Sequence, residues 1–187
     1  MKILGISGTI LGAKTAVLVD AVLQEIKKGN PEIETDLLDL RNYDMQFCDG
    51  RKLELYNEDT REVIQKVSEA DFYLIGSPIF NGSMPAPLKN LFDLVSPDVF
   101  RQKVMGFVAN GGTYQHYLVI ENQLKPIAGY FRAYVAPSYV YAHTNHFNTA
   151  NEITDYDVLA RIEALAKELV TMQVALKGQC ASLNHKS

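Results

Sequence analysis

Residues 76–93 read Gly-Ser-Pro-Ile-Phe-Asn-Gly-Ser-Met-Pro-Ala-Pro-Leu-Lys-Asn-Leu-Phe-Asp, and their types and spacing bear most directly on chemistry. They follow the apolar run Phe72-Tyr73-Leu74-Ile75 and lead into an amphipathic stretch carrying Leu88, Leu91, Phe92 and Val95. A Gly, Ser and Asn loop at the carboxyl end of a buried strand suits a flat heterocycle. Backbone N–H groups near Phe80 and Asn81 can meet its polar edge. Ser77, Pro78, Ile79 and Phe80 can wall its apolar face.

A second segment with chemical potential is Ser7-Gly8-Thr9-Ile10-Leu11-Gly12-Ala13-Lys14-Thr15-Ala16. It joins a first apolar run to a helical pattern. Unpaired N–H groups and the helix dipole therefore favour an anion there. The hydroxyls of Ser7, Thr9 and Thr15, the Lys14 ammonium and the N–H of Ala16 suit a phosphomonoester, which carries about −1.5 to −2 at neutral pH. Two other motifs come close. A Walker A loop needs Gly where Ala13 stands before Lys14-Thr15, and only Leu37-Leu38-Asp39 offers an acid for Mg²⁺. Gly5-Ile6-Ser7-Gly8-Thr9 lacks the last Gly of a nucleophile elbow, although His143 and His146 follow late in the chain. A third segment, Asn110-Gly111-Gly112-Thr113-Tyr114, follows another apolar run and can bring N–H groups to the far edge of a ring.

The elements that must position these loops alternate along the chain. Strands are expected over residues 3–6, 33–40, 72–76, 103–109 and 133–141. Helices are expected over residues 13–28, 58–68, from Pro85 or Pro87 onward, 114–131 and 154–177. The second strand is the most polar and belongs near an edge. Residues 41–57 show no clear period, and residues 142–152 read as polar loop. This pattern predicts an α/β fold: a flavodoxin-like three-layer sandwich, its five-stranded parallel sheet ordered 2-1-3-4-5 with helices on both faces. The loops after the first, third and fourth strands would then be neighbours. A phosphate at one and a heterocycle at the others make flavin mononucleotide the expected ligand.

The 187 residues fit one domain, since single cores commonly run to roughly 200 residues. We expect that domain over residues 1–178 and a loose tail over 179–187. A net charge of −4 without basic blocks argues against nucleic acid as the main partner. No run approaches the roughly 18 apolar residues of a membrane span, and the short apolar start does not read as a secretory signal. Two distant cysteines, Cys48 and Cys180, argue against a disulfide framework and fit a reducing cytoplasm. His143 and His146 have metal-like spacing but no evident third ligand, so no metal is expected.

The three loops together resemble the NAD(P)H-dependent FMN reductases of flavodoxin-like fold, in the branch of sulfonate-type FMN reductases and azobenzene reductases. The resemblance runs to about residue 175. It is carried by Ser77-Pro78-Ile79-Phe80-Asn81-Gly82-Ser83 with Pro87-Leu88-Lys89-Asn90 and Asp93, and by Asn110-Gly111-Gly112 with Leu124-Lys125-Pro126. It implies FMN with its phosphate on Ser7, Thr9, Lys14 and Thr15 and its ring along residues 78–81. Gly111, Gly112 and Tyr114 would lie on the other edge. It also implies NADPH or NADH as donor, direct hydride transfer from nicotinamide C4 to flavin N5, and a flavin, quinone, azo or metal acceptor. No side chain need act as acid or base, so no catalytic residue is expected. A homodimer or homotetramer is implied, with Tyr117, Ile120 and Leu124 as a stripe facing a second subunit. The chain departs from the family twice. Ile10 and Leu11 stand where an arginine is usual, and Glu121-Asn122-Gln123 occupies the stretch where sulfonate-linked members insert a tyrosine. A flavodoxin-like electron carrier without turnover is the alternative.

Overall fold

A computed structural model describes residues 1–183, the side chains of 178–183 excepted. Its elements are β1 (Lys2–Ser7), α1 (Lys14–Gly29), β2 (Glu34–Asp39), α2 (Glu58–Glu69), β3 (Phe72–Pro78), α3 (Ala86–Leu94), β4 (Val104–Gly111), α4 (Lys125–Tyr130), β5 (Tyr134–His143) and α5 (Tyr156–Leu183). All four strand pairings are parallel, in the order β2-β1-β3-β4-β5. This is the flavodoxin-like arrangement, and the polar β2 lies at an edge as its composition predicts.

Period-two alternation explains the layers. In β3, Phe72 and Leu74 pack on one face with Val19, Leu23 and Leu169, from α1 and α5. Tyr73 and Ile75 pack on the other with Val63, Leu91 and Ala128, from α2, α3 and α4. Successive strand side chains point to opposite faces, so one apolar run feeds both layers. Burying each large side chain contributes about 1.5–3 kcal/mol. At the far edge β5 gains two residues between the pairs Met105–Val135 and Phe107–Tyr139. Pro137 falls in this irregular stretch, where a missing N–H breaks no ladder bond.

Two expectations are overturned. The single helix expected over residues 114–131 is a 3₁₀ turn (Tyr114–Tyr117), a π turn (Ile120–Leu124) and then α4. Pro126 has no N–H to bond back to Asn122, and just before it Lys125 N–H reaches five residues back to Ile120 O. The expected subunit-facing stripe goes with it: Ile120 and Leu124 are buried in the core, and of the three only Tyr117 is exposed. α5 continues through Leu183, into the stretch expected as a tail, and residues 184–187 lie outside the described residues. No helix among the described residues is long and apolar enough to cross a membrane.

Candidate functional site

The sheet order makes β1, β3 and β4 neighbours, and their carboxyl-end loops are bonded to one another. Gly8 N–H donates to Gly76 O at 2.9 Å, and Ile79 N–H donates to Asn110 O at 3.0 Å. The Thr15 hydroxyl, on the first turn of α1, donates to Asn110 Oδ1 at 2.7 Å. Close approach is possible because the crossing residues are glycines. A Cβ on Gly76 would lie 2.3 Å from Val19 Cγ2, and one on Gly8 would lie 2.8 Å from Gly76 O.

The start of α1 is built to accept an anion. Ala13 occupies the capping position without a side-chain cap, and no acidic residue stands in the first turn. Val17 N–H, to Ala13 O, is the first to find a helical acceptor, so the N–H groups of Lys14, Thr15 and Ala16 have none within the helix. At the base of the loop the Ser7 hydroxyl is fully buried without a hydrogen-bond partner among the described residues. A buried hydroxyl left unpaired is costly unless a ligand or water meets it. An orphaned hydroxyl at the end of β1 and unclaimed N–H groups at the start of α1 fit a phosphate.

Other predicted groups are placed differently. The Thr9 hydroxyl closes a local turn, donating to Leu11 O at 2.8 Å and accepting from Leu11 N–H at 3.0 Å. Lys14 Nζ donates to Asn151 Oδ1 at 3.0 Å and lies 5.7 Å from the centre of the Phe147 ring. The Ser77 hydroxyl donates to Pro78 O. Ile79, expected to cover a ring, turns inward and is only 7% exposed. Phe80, 41% exposed, keeps an open face.

Phe80 and Ser83 exchange both backbone hydrogen bonds at 3.0 Å, closing a two-residue turn on Asn81 and Gly82. Their φ angles of 50° and 75° are those of a type I′ turn, which Asn-Gly sequences favour. The Phe80 N–H is therefore consumed, and the central N–H groups of Asn81 and Gly82 are the ones with no acceptor among the described residues. The π turn braces this hairpin. Gln123 accepts from the Ser83 hydroxyl at 2.7 Å and donates to Gly82 O at 3.2 Å.

On the β4 side, the carbonyls of Gly111 and Gly112 are held by Thr144 Oγ1 at 3.3 Å and His143 Nε2 at 3.0 Å. His143 Nδ1 accepts from Asn145 N–H, so Nε2 carries the proton given to Gly112. Both ring nitrogens are thus spent on backbone, and neither serves a Ser7 nucleophile. Tyr114, 57% exposed, stacks on His143 with ring centres 4.3 Å apart and planes 9° apart. Burial raises the pKa of the Tyr141 phenol, which donates to Thr113 O at 2.6 Å.

Sequence reasoning missed Gln123, Asn151 and above all Arg41. The Arg41 guanidinium grips Asp39 through Nε and Nη2 and donates from Nη1 to Gly12 O at 2.9 Å. Its bond to Asp39 raises the guanidinium's pKa further, against the effect of burial. The signal was an Asp-x-Arg sequence at the end of β2, on the same sheet edge as the first loop.

Residues 1–147 match the family model described as NADPH-dependent FMN reductase. An NAD(P)H-dependent FAD/FMN reductase of Geobacillus thermodenitrificans is 62% identical over 177 residues, covering 95% of this chain and 96% of that one. The NADH-dependent FMN reductase SfnF of Pseudomonas fluorescens is 30% identical over 168 residues, 89% of each chain. Among solved structures, an apo NADH:FMN oxidoreductase (EmoB) superposes with a TM-score of 0.73 at 18% identity, covering 93% of this chain and 89% of that one. An archaeal flavodoxin superposes at 0.63 and 12% identity, covering 92% and 99%, which reflects the shared fold. With a matching family model over most of its length and a 62% identical relative, the chain belongs to the NADPH-dependent FMN reductase family.

Proposed function

We propose that this chain is an NAD(P)H-dependent flavin reductase that seats FMN across the three bonded loops and passes electrons to a second small acceptor. The reading rests on the bonding of all three loops into one edge beside an uncapped helix start. In it, the N–H groups of Lys14, Thr15 and Ala16 and the buried Ser7 hydroxyl hold the phosphate. Pro78, Phe80, Asn81 and Gly82 border the ring, and Asn110, Gly111, Gly112 and Tyr114 complete its other side. Lys14 lends charge from its seat on Asn151, and Thr9 shapes the loop.

Bound FMN supplies the hydride chemistry, so the protein's task is placement and electrostatics. The Asn81-Gly82 turn offers rigid donors, and the Tyr114–His143 stack fixes a flat wall. The acceptor is a flavin, quinone, azo compound or metal complex; a Staphylococcus saprophyticus relative, 27% identical over 160 residues, is an FMN-dependent NADPH-azoreductase. We place the protein in the cytoplasm as a homodimer or homotetramer. The apolar groove of Phe92, Pro126, Ile127 and the exposed Tyr130 supports self-association.

Anaerobic titration of the FMN-loaded protein with NADH and with NADPH tests the function. Bleaching of the flavin band by at least one nucleotide, at a rate far above that of free FMN, is expected. Failure of both to bleach it would overturn the reductase reading.

A further inference from the structure

Arg41 lies outside the three ligand loops, yet it holds the first of them. Asp39, only 7% exposed at the end of β2, fixes the guanidinium from two sides, with Nε at 2.9 Å and Nη2 on the same Oδ2. Asp39 also accepts from Arg41 N–H at 3.1 Å. The side chain is thereby locked in one direction, and Nη1 meets Gly12 O at 2.9 Å. Gly12 has a φ of 74°, a left-handed conformation at the tip of a loop whose Ile10 and Leu11 are exposed. Nothing else among the described residues bonds to that carbonyl.

The peptide between Gly12 and Ala13 is planar and trans, so its C=O and N–H point in opposite directions. Anchoring Gly12 O on Arg41 turns Ala13 N–H away from Arg41. Without the anchor, a glycine peptide can flip and withdraw that donor. The positive charge of Arg41 is matched by Asp39, so its effect on the loop is one of direction more than net charge. The fork geometry of guanidinium is what serves both Asp39 and Gly12 at once, which an ammonium cannot reproduce.

We propose that Asp39 and Arg41 form a latch that orients the Gly12–Ala13 peptide, adding Ala13 N–H to the donors at the start of α1 and so setting the preference for phosphorylated over unphosphorylated flavin. Arg41 is thus a positioning residue that contacts no ligand. The latch rests on the proposed phosphate seat, and the test separates the two.

The test is titration of flavin-free wild type, R41Q, R41K and D39N with FMN and separately with riboflavin, followed by quenching of flavin fluorescence, with thermal unfolding as a check on folding. One lost donor to a charged group predicts a rise in the FMN dissociation constant of roughly tenfold in all three variants, with riboflavin changed less than about twofold. If R41Q fails to fold, R41K and D39N decide the matter. Unchanged FMN binding, equal losses for both flavins, or wild-type behaviour in R41K would each overturn the latch. A wild type that binds both flavins equally would remove the phosphate seat itself, and with it the latch.

Discussion

The Thr15 hydroxyl donates to Asn110 Oδ1 at 2.7 Å, and this one bond ties the first turn of α1 to the end of β4 across the intervening strand β3. Thr15 is 2% exposed and Asn110 is partly buried, so removing Asn110 strands a buried hydroxyl. Thr15→Val leaves the partly buried Asn110 Oδ1 unpaired and is expected to cost about 1 kcal/mol of unfolding free energy, Asn110→Ala somewhat more. Urea denaturation of T15V, N110A and the double variant should show the pair losing less than the sum of the singles, because the two act together.

Gln123 braces the Asn81-Gly82 turn through Ser83 and Gly82 O. Gln123→Ala removes both contacts while leaving every residue of the proposed ring seat in place. Hydrogen exchange at Ser83 N–H, which bonds to Phe80 O, is expected to quicken by roughly five- to tenfold, in keeping with the loss of about 1 kcal/mol of local support. Unchanged exchange would mean the hairpin stands unaided.

Gly76 tests the close packing of α1 on the sheet. A Cβ there would lie 2.3 Å from Val19 Cγ2 and 3.2 Å from Ile6 O, so α1 must move to admit Ala. Overpacking predicts a loss of about 1–3 kcal/mol for Gly76→Ala. The shift also carries Thr15 from Asn110, so FMN retention on a desalting column should fall with stability.

Asp71 predicts an acid-side dependence. Burial works to raise its pKa, but Lys2 N–H at 2.8 Å and Lys177 Nζ at 3.1 Å outweigh it and hold the carboxyl below its ordinary value. A pKa lower in the folded than in the unfolded chain means this stability is present above the unfolded value, about 3.9, and is lost as pH falls through the folded one. Midpoints of urea unfolding between pH 6 and pH 3 should fall less steeply in Asp71→Asn than in wild type.

Much of the fold was legible because buried strands announce themselves locally. Phe72-Tyr73-Leu74-Ile75 needs no distant partner to read as a central strand, and Asn81-Gly82 carries its turn type in its own backbone preferences. That the three loops meet at one edge was legible for the same reason, once the strand order made them neighbours. The fourth helix was not. Its apolar residues fit a 3.6-residue period, but the π turn before Pro126 rotated the following faces, burying Ile120 and Leu124 and sending Gln123 to Gly82. Arg41 and Asn151 were illegible for a different reason: their bonds to Gly12 and Lys14 cross 29 and 137 residues of chain, and neither local pattern records such a partner.

The start of α1, without a side-chain cap, has N–H groups that a bound anion can satisfy. A ligand that binds there only in the native state lifts the whole stability curve, by about 2.7 kcal/mol when free ligand stands at a hundred times its dissociation constant. Melting temperature should therefore report flavin occupancy, and two batches of one sequence will differ as if they were different proteins. Thermal shift against graded FMN, with inorganic phosphate as a weaker mimic, becomes a gauge of how full the preparation is.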